Sequence, residues 1–386
     1  MPKTIELLER LVAFDTVSSR SNVELIEWVA NHLDGLGVRA MVQMAGEPGK
    51  ANLFATIGPD DRPGLMLSGH SDVVPVEGQD WQSDPFRLTH RDGRVFARGS
   101  ADMKGFIACV LAQAPTLVRA DLRQPVHIAL SYNEESDMGG MRQLAAHLSQ
   151  ASVKPAACII GEPTSMRVVV ANKGAAIYRC HVRGHSVHSS LRDDGVSAVE
   201  VAADLVAFIT ALQRRLRDGP RHDGFEFPYT SLHVGTIAGG TAHNITASDC
   251  SFLFEIRALP GVSSQEVLGE IRHHAESVLL PAARRIAPNC AIEFEEVVDS
   301  PGLDERGNHH LAETIMPICG CLAPGRVSFG TEAGFLADIG VPTIVCGPGE
   351  IRVAHQPDEH VSLDQLDACD RFLAEIGHRL TRQALV

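Results

Sequence analysis

Five short segments carry side chains able to bind divalent metal ions: His70-Ser-Asp72-Val-Val-Pro75, Asp102-Met-Lys-Gly105, Glu134-Glu135, Gly161-Glu162-Pro163-Thr164 and His355-Gln-Pro-Asp-Glu359. Together they supply two imidazoles and several carboxylates, most of them directly after an apolar run. These are the donors that a pair of divalent cations and a water nucleophile require, so the series reads as a metal-dependent hydrolase.

Each piece also has a plainer explanation. His70 and Asp72 fall on the same side of an extended chain. Asp72 can then accept the second ring N–H of a metal-bound His70, or the two can be a strand-end histidine and a surface aspartate. Asp102 opens a helical stretch, where an aspartate often caps, but one carboxylate there can also bridge two cations. Glu134 and Glu135 are adjacent after the apolar run Val126–Ser131 and would repel each other. One as metal ligand and the other as general base resolves that conflict; a solvated loop is the alternative. Pro163 limits the backbone of Glu162. His355 follows the Gly- and Pro-rich exit Cys346-Gly-Pro-Gly-Glu350 and adds a second nitrogen donor that the other segments lack.

The elements that must position these residues alternate in type. Ile5, Leu8, Leu11 and Val12 recur at helical spacing, as do Leu25, Val29 and Leu33, and the second run stops at Gly35 and Gly37. Strand-like runs cover 39–44, 52–57, 65–67, 126–131, 157–160 and 341–346. A buried helix is expected over 103–114, with Pro115 near its end. The alternation predicts an α/β fold with a mixed, largely parallel sheet flanked by helices. His70, Asp72, Glu134, Glu135 and Glu162 follow predicted strands, which places them along one sheet edge, where ligands bind in open α/β sheets.

The middle has a different order. Strands at 175–182, 231–237, 251–256 and 291–295 and helices at 196–216 and 263–278, the latter capped by Ser263 or Ser264, give β-α-β-β-α-β. That is a ferredoxin-like α+β unit. The predicted organisation is a catalytic domain over 1–173 and 296–386 with an inserted domain at 174–295.

At 386 residues, two domains are expected. The formal net charge of −14 argues against nucleic acid or an anionic membrane as partner. Nine dispersed cysteines without CxxC pairs fit a reducing cytoplasm. The first ten residues carry charges that interrupt any apolar stretch, unlike a signal peptide. No apolar run reaches membrane-spanning length. No Gly-x-Ser-x-Gly turn supports a serine hydrolase.

With these residues assembled, the chain resembles peptidase family M20, a group of metallopeptidases and deacylases. Gly99–Gly105, Ile160–Ser165, Lys173-Gly174, Gly330-Thr-Glu-Ala333 and Cys346–Glu359 carry the likeness further, toward a deacetylase of a small N-acyl amino acid. A desuccinylase, an aminoacylase and a carboxypeptidase of the same family are the rivals. The resemblance implies one metal on His70, Asp102 and Glu162 and a second on Asp102, Glu135 and His355. Zinc suits this mixed set, with cobalt as a substitute. It further implies that Asp72 orients His70, that Glu134 is the general base, and that the Asp102–Met103 peptide is cis. The inserted domain would be a lid and homodimer surface. In it, His188 would stabilise an oxyanion in the partner subunit, Asn244 would add a polar contact, and Arg257 would hold a substrate carboxylate. Apart from the resemblance, Glu332, an acid beside Thr331, is expected to attract a substrate amine. Three lid positions depart from the family pattern: Leu191–Gly195 lacks a proline, Ser197 replaces an asparagine, and Ala247 replaces a proline.

Overall fold

The computed structural model describes residues 2–385. In chain order the elements are α1 (Pro2–Val12), α2 (Val23–Asp34), β1 (Ala40–Met44), β2 (Ala51–Ile57), β3 (Leu65–His70), β4 (Thr89–Arg91), β5 (Arg94–Phe96), α3 (Lys104–Arg119), β6 (Val126–Ser131), α4 (Gly139–Ser149), β7 (Ala157–Pro163) and β8 (Val169–Asn172). Then come β9 (Gly174–Arg183), α5 (Ala198–Arg217), β10 (Ser231–Gly239), β11 (Asp249–Ala258), α6 (Ser264–His274), α7 (Leu280–Ile286) and β12 (Ala291–Ser300). The chain closes with α8 (His309–Cys319), β13 (Gly325–Val327), α9 (Ala333–Asp338), β14 (Thr343–Gly347), β15 (His360–Ser362) and α10 (Leu363–Leu380).

These elements form two compact units. One takes in the chain up to Ala171, Leu303–Arg326 and the stretch from Thr331 on; the other is Asn172–Gly302 with Val327–Gly330.

The first unit is built on a mixed eight-stranded sheet in the order β1-β2-β6-β3-β7-β14-β8-β13. Its centre, β6-β3-β7-β14, is parallel, while β1 and β2 pair antiparallel at one side. The central strands β3, β6 and β7 are buried along their whole length, as expected for strands covered on both faces. Helices α1, α3 and α10 contribute Leu8, Leu11, Phe106, Ile107, Leu111, Phe372 and Leu373 to the core. Three strands of three residues each, β15-β5-β4, make a further small sheet. They are too short to show a period-two pattern in sequence.

Helix α3 continues through Pro115 to Arg119, past the expected stop. Ala114 and Leu117 stay buried on either side of the proline. That continued burial outweighs the one backbone bond that Pro115 cannot donate.

The second unit has an antiparallel four-stranded sheet in the order β10-β11-β9-β12. One face presents Ala176, Tyr178, Cys180, Val182, Phe252, Phe254 and Ile256, covered by Ala202, Leu205, Ile209 and Leu212 of α5 and Val267, Leu268 and Ile271 of α6. Ser197 and Ser263 cap α5 and α6 through their hydroxyls. The second helical stretch reaches Ile286, beyond the expected end, by way of a π-turn at Ala275–Leu279. Pro281, without an N–H, follows that irregularity.

Candidate metal centre

β3 ends on His70, β7 carries Glu162 one residue before its end, and Glu134 and Glu135 follow β6. Parallel neighbours place these strand ends at one edge of the sheet, the side on which open α/β sheets collect ligands. Asp102 enters from the segment before α3, across a cis Asp102–Met103 peptide. His355 comes from the loop after β14 and holds a left-handed backbone, φ 63°. A non-glycine residue in that region is strained and persists where its surroundings impose it.

The geometry centres on Asp102. Its Oδ1 lies 3.0 Å from His70 Nε2, and its Oδ2 lies 3.4 Å from His355 Nε2. Glu162 Oε1 is 4.0 Å from the same His70 nitrogen, and Glu135 Oε1 is 2.9 Å from the same His355 nitrogen. One carboxylate thus turns a different oxygen toward each imidazole, and a second carboxylate approaches the same nitrogen of each ring. His70 is fully buried, Asp102 nearly so, while the His355 side chain is 47% exposed.

Donor atoms of His70, Glu134 and Glu162 also come within 4.8 Å of one another, as do those of His70, Asp102 and Glu135. Distance alone therefore gives Glu134 two available parts, ligand or base.

The electrostatics call for positive charge. Burial raises the Glu134 and Glu162 carboxyls well above their ordinary range, and neighbouring carboxylates add to the rise. Burial and the Asp102 charge push Glu135 up to about 7. Burial also works against the Asp102 anion, yet hydrogen bonds from His355 and His70 hold it below the usual aspartate value. The His355 ring, hydrogen-bonded to Asp102 and Glu135, is raised to about 10. At His70, burial opposes the charged ring, but the Asp102 bond and the Glu134 and Glu162 charges outweigh it and raise the ring well above its usual value. Four acids crowd round two imidazoles, one fully buried and one half-exposed. Divalent cations on the same atoms would relieve that repulsion, and the nitrogen and oxygen donor set fits them.

Asp72 does its positioning differently from the sequence-based expectation. His70 Nδ1 donates to the Asp72 main-chain carbonyl at 2.9 Å, while the carboxylate stands at 3.7 Å. The carboxylate is engaged elsewhere. It accepts from the Ser18 hydroxyl at 2.6 Å and from the main-chain N–H groups of Glu134 and Glu135 at 3.1 and 3.3 Å. The left-handed turn at Asn133, φ 58°, aims those N–H groups at it. Asp72 therefore fixes the His70 tautomer with its backbone and the Glu134-Glu135 turn with its side chain.

Glu359 has no assigned part in the sequence reading, although it closes the fifth segment. It is fully buried and accepts from the Ala101 and Asp102 main-chain N–H groups at 2.9 and 3.1 Å. Its other oxygen pairs with Arg98 at 2.6 Å. Arg98, itself buried, also donates to Gln79 and faces the Trp81 ring. An arginine directly after the apolar run Val95-Phe-Ala97 is the sequence signal for such a pair.

Glu332 is fully buried. Burial pushes it up to about 7.

His188, Asn244 and Arg257 belong to the second unit. His188 is exposed and caps a short 3₁₀ turn, its Nδ1 accepting from the Ser190 N–H at 3.2 Å. The Asn244 carbonyl accepts from the Ser189 N–H at 2.9 Å, so His188 and Asn244 share one loop pair. Arg257 lies on β11 and binds Glu255 through Nε at 3.1 Å.

The profile of peptidase family M20/M25/M40 matches residues 66–379, and the chain belongs to that family. Solved structures share the fold. An M20 family metallo-carboxypeptidase from Sulfolobus solfataricus superposes with a TM-score of 0.79 at 16% identity, covering 99% of this chain and 100% of that one. Human carnosine dipeptidase 1 does so with a TM-score of 0.73 at 15% identity, covering 99% and 97%. A dinuclear metal-binding peptidase of the M20 family from Bacillus subtilis matches with a TM-score of 0.66 at 14% identity, covering 97% of each chain. Among the described residues no helix is long and apolar enough to cross a membrane.

Proposed function

We propose that the chain is a dinuclear metal-dependent amide hydrolase that removes acetate from N2-acetyl-L-ornithine, releasing L-ornithine. The observation that carries the metal chemistry is Asp102, with one oxygen toward His70 and the other toward His355. His70, Asp102 and Glu162 would hold one cation, and Asp102, Glu135 and His355 the other, with zinc the best fit and cobalt a substitute. When bound, the cations acidify a water and polarise the amide carbonyl. Glu134 would take a proton from the attacking water and return it to the leaving nitrogen. Its main chain is anchored on Asp72, and burial raises its affinity for a proton, which suits a group that must accept one and give it back.

The acetylornithine reading rests on the motifs around Asp102, Glu162 and His355. Arg257 would hold the α-carboxylate, exchanging Glu255 for the substrate, because a guanidinium pairs with a carboxylate bidentately. His188 and Asn244 would contact the scissile amide of a partner subunit, with the Asn172–Gly302 unit as lid and homodimer surface. The enzyme would act in the cytoplasm, without nucleic acid or membrane partners.

The dipeptidase and metallo-carboxypeptidase among the similar structures favour a second reading, hydrolysis of a short peptide. Amine release from N-acetylornithine, N-succinyl-diaminopimelate and a set of dipeptides, each with and without chelator, separates the two. Chelator-sensitive turnover of N-acetylornithine above the rest is expected. Preference for a dipeptide would overturn the acetylornithine assignment and leave the metal chemistry standing.

A further inference from the structure

All nine cysteines are free thiols. Two of them meet between α8 and β14. Cys319, the last residue of α8, places its Sγ 3.6 Å from that of Cys346 on the central strand β14. Cys346 is fully buried, whereas Cys319 is partly open to solvent. A third thiol, Cys321, lies beyond the left-handed Gly320 and donates to the Met166 carbonyl at 3.6 Å.

We propose that Cys319 and Cys346 are a redox-sensitive pair that closes to a reversible disulfide when a small-molecule disulfide is the oxidant. Closing from 3.6 Å to the roughly 2.05 Å of a disulfide needs about 1.5 Å of movement. The end of α8 can supply it. Pro317 removes a backbone bond from the last turn, and the helix stops at Gly320. Reactivity is divided between the two sulfurs. Hydrogen bonding from Cys346, and then from Cys321, lowers the Cys319 thiol against the effect of burial. Cys346 is raised well above the usual thiol value by its bond to Cys319 and by burial. Cys319 is therefore both the more accessible and the more readily ionised sulfur.

The Cys319 thiolate attacks one sulfur of the small disulfide, forming a mixed disulfide and expelling one thiolate. That thiolate takes the Cys346 proton. The Cys346 sulfur then attacks Cys319 Sγ and expels the second small thiolate, which takes a proton from water. Two protein thiols become one disulfide, and one small disulfide becomes two small thiols. The bond fastens the end of α8 to the strand whose next residue, Gly347, packs against the backbone of Gly161 and Glu162.

The test uses the full-length protein treated with oxidised glutathione, alkylated, and digested with trypsin without reduction. Cleavage after Arg306, Arg326 and Arg352 puts Cys319 and Cys321 on one peptide and Cys346 on the next. The two peptides are expected to be joined, two of the nine free thiols to be lost, and dithiothreitol to restore both. C321S should keep the link and C319S should lose it. Unlinked wild-type peptides, glutathione retained on Cys319, or a link that survives in C319S would each overturn the proposal. The wild-type digest decides even if a variant folds poorly.

Discussion

Removing the Glu359 carboxylate should damage metal binding without touching a ligand. Glu359 holds the Ala101 and Asp102 main-chain N–H groups, so it fixes the peptide from which the Asp102 carboxylate projects. It also neutralises Arg98, whose side chain is 1% exposed. In E359L both functions vanish, and breaking a buried pair from one side costs about 3–5 kcal/mol. E359Q keeps one acceptor oxygen and should lose less. Loss of an outer support of a metal ligand weakens metal affinity about 10–100-fold. The double variant R98M/E359L removes both charges of the pair, so it should regain most of the stability. The two N–H groups remain unheld in it, so metal affinity should stay low. Urea unfolding of metal-free protein reads the first effect, and calorimetric titration with zinc reads the second. Wild-type zinc affinity in E359L would refute the idea that this carboxylate positions Asp102.

Further outcomes follow from the same geometry. E134A should lower turnover by at least about 10²–10⁴-fold while metal content stays near two ions per chain; loss of metal as well would make Glu134 a ligand and exchange its part with Glu135. Zinc uptake should release protons, because His355, protonated up to about 10, and Glu135, up to about 7, must both lose theirs to become donors. Affinity should therefore rise with pH between 6 and 8, about tenfold per unit for each proton released, and calorimetry in buffers of different ionisation heat measures the count. His127, which burial lowers to about 4, takes up a proton at higher pH unfolded than folded, so its contribution to stability is lost as pH falls from about 6.5 to 4. H127Q should flatten that acid limb by up to about 3 kcal/mol in urea unfolding at each pH, and an unchanged limb would rule the histidine out. G161A should be destabilising and reduce metal affinity, since a Cβ there would overlap the Phe106 ring beside Glu162.

Much of the candidate centre can be read from sequence for a physical reason. His70, Glu162 and the Glu134-Glu135 pair stand at or just after the ends of strands whose apolar runs are plain, and parallel packing sends those ends to one edge. Spacing cannot reveal which atom does a job. Asp72 is identifiable as a positioning residue, but its main-chain carbonyl rather than its carboxylate meets His70. The Arg98–Glu359 pair spans 261 positions and buries two charges, against the rule that charged residues stay outside, so the sequence hints at a buried arginine and only the fold reveals its partner. The strands β4, β5 and β15 are each three residues long and leave no periodic trace. Pro115 predicts a helix end that tertiary burial overrides.

Anomalous diffraction from crystals of the zinc-loaded protein tests most directly whether one aspartate joins two ions. Two peaks are predicted, each bound by one oxygen of Asp102, with His70 and Glu162 on one ion and His355 and Glu135 on the other. A single ion, or a pair with Asp102 bound to only one of them, would contradict this.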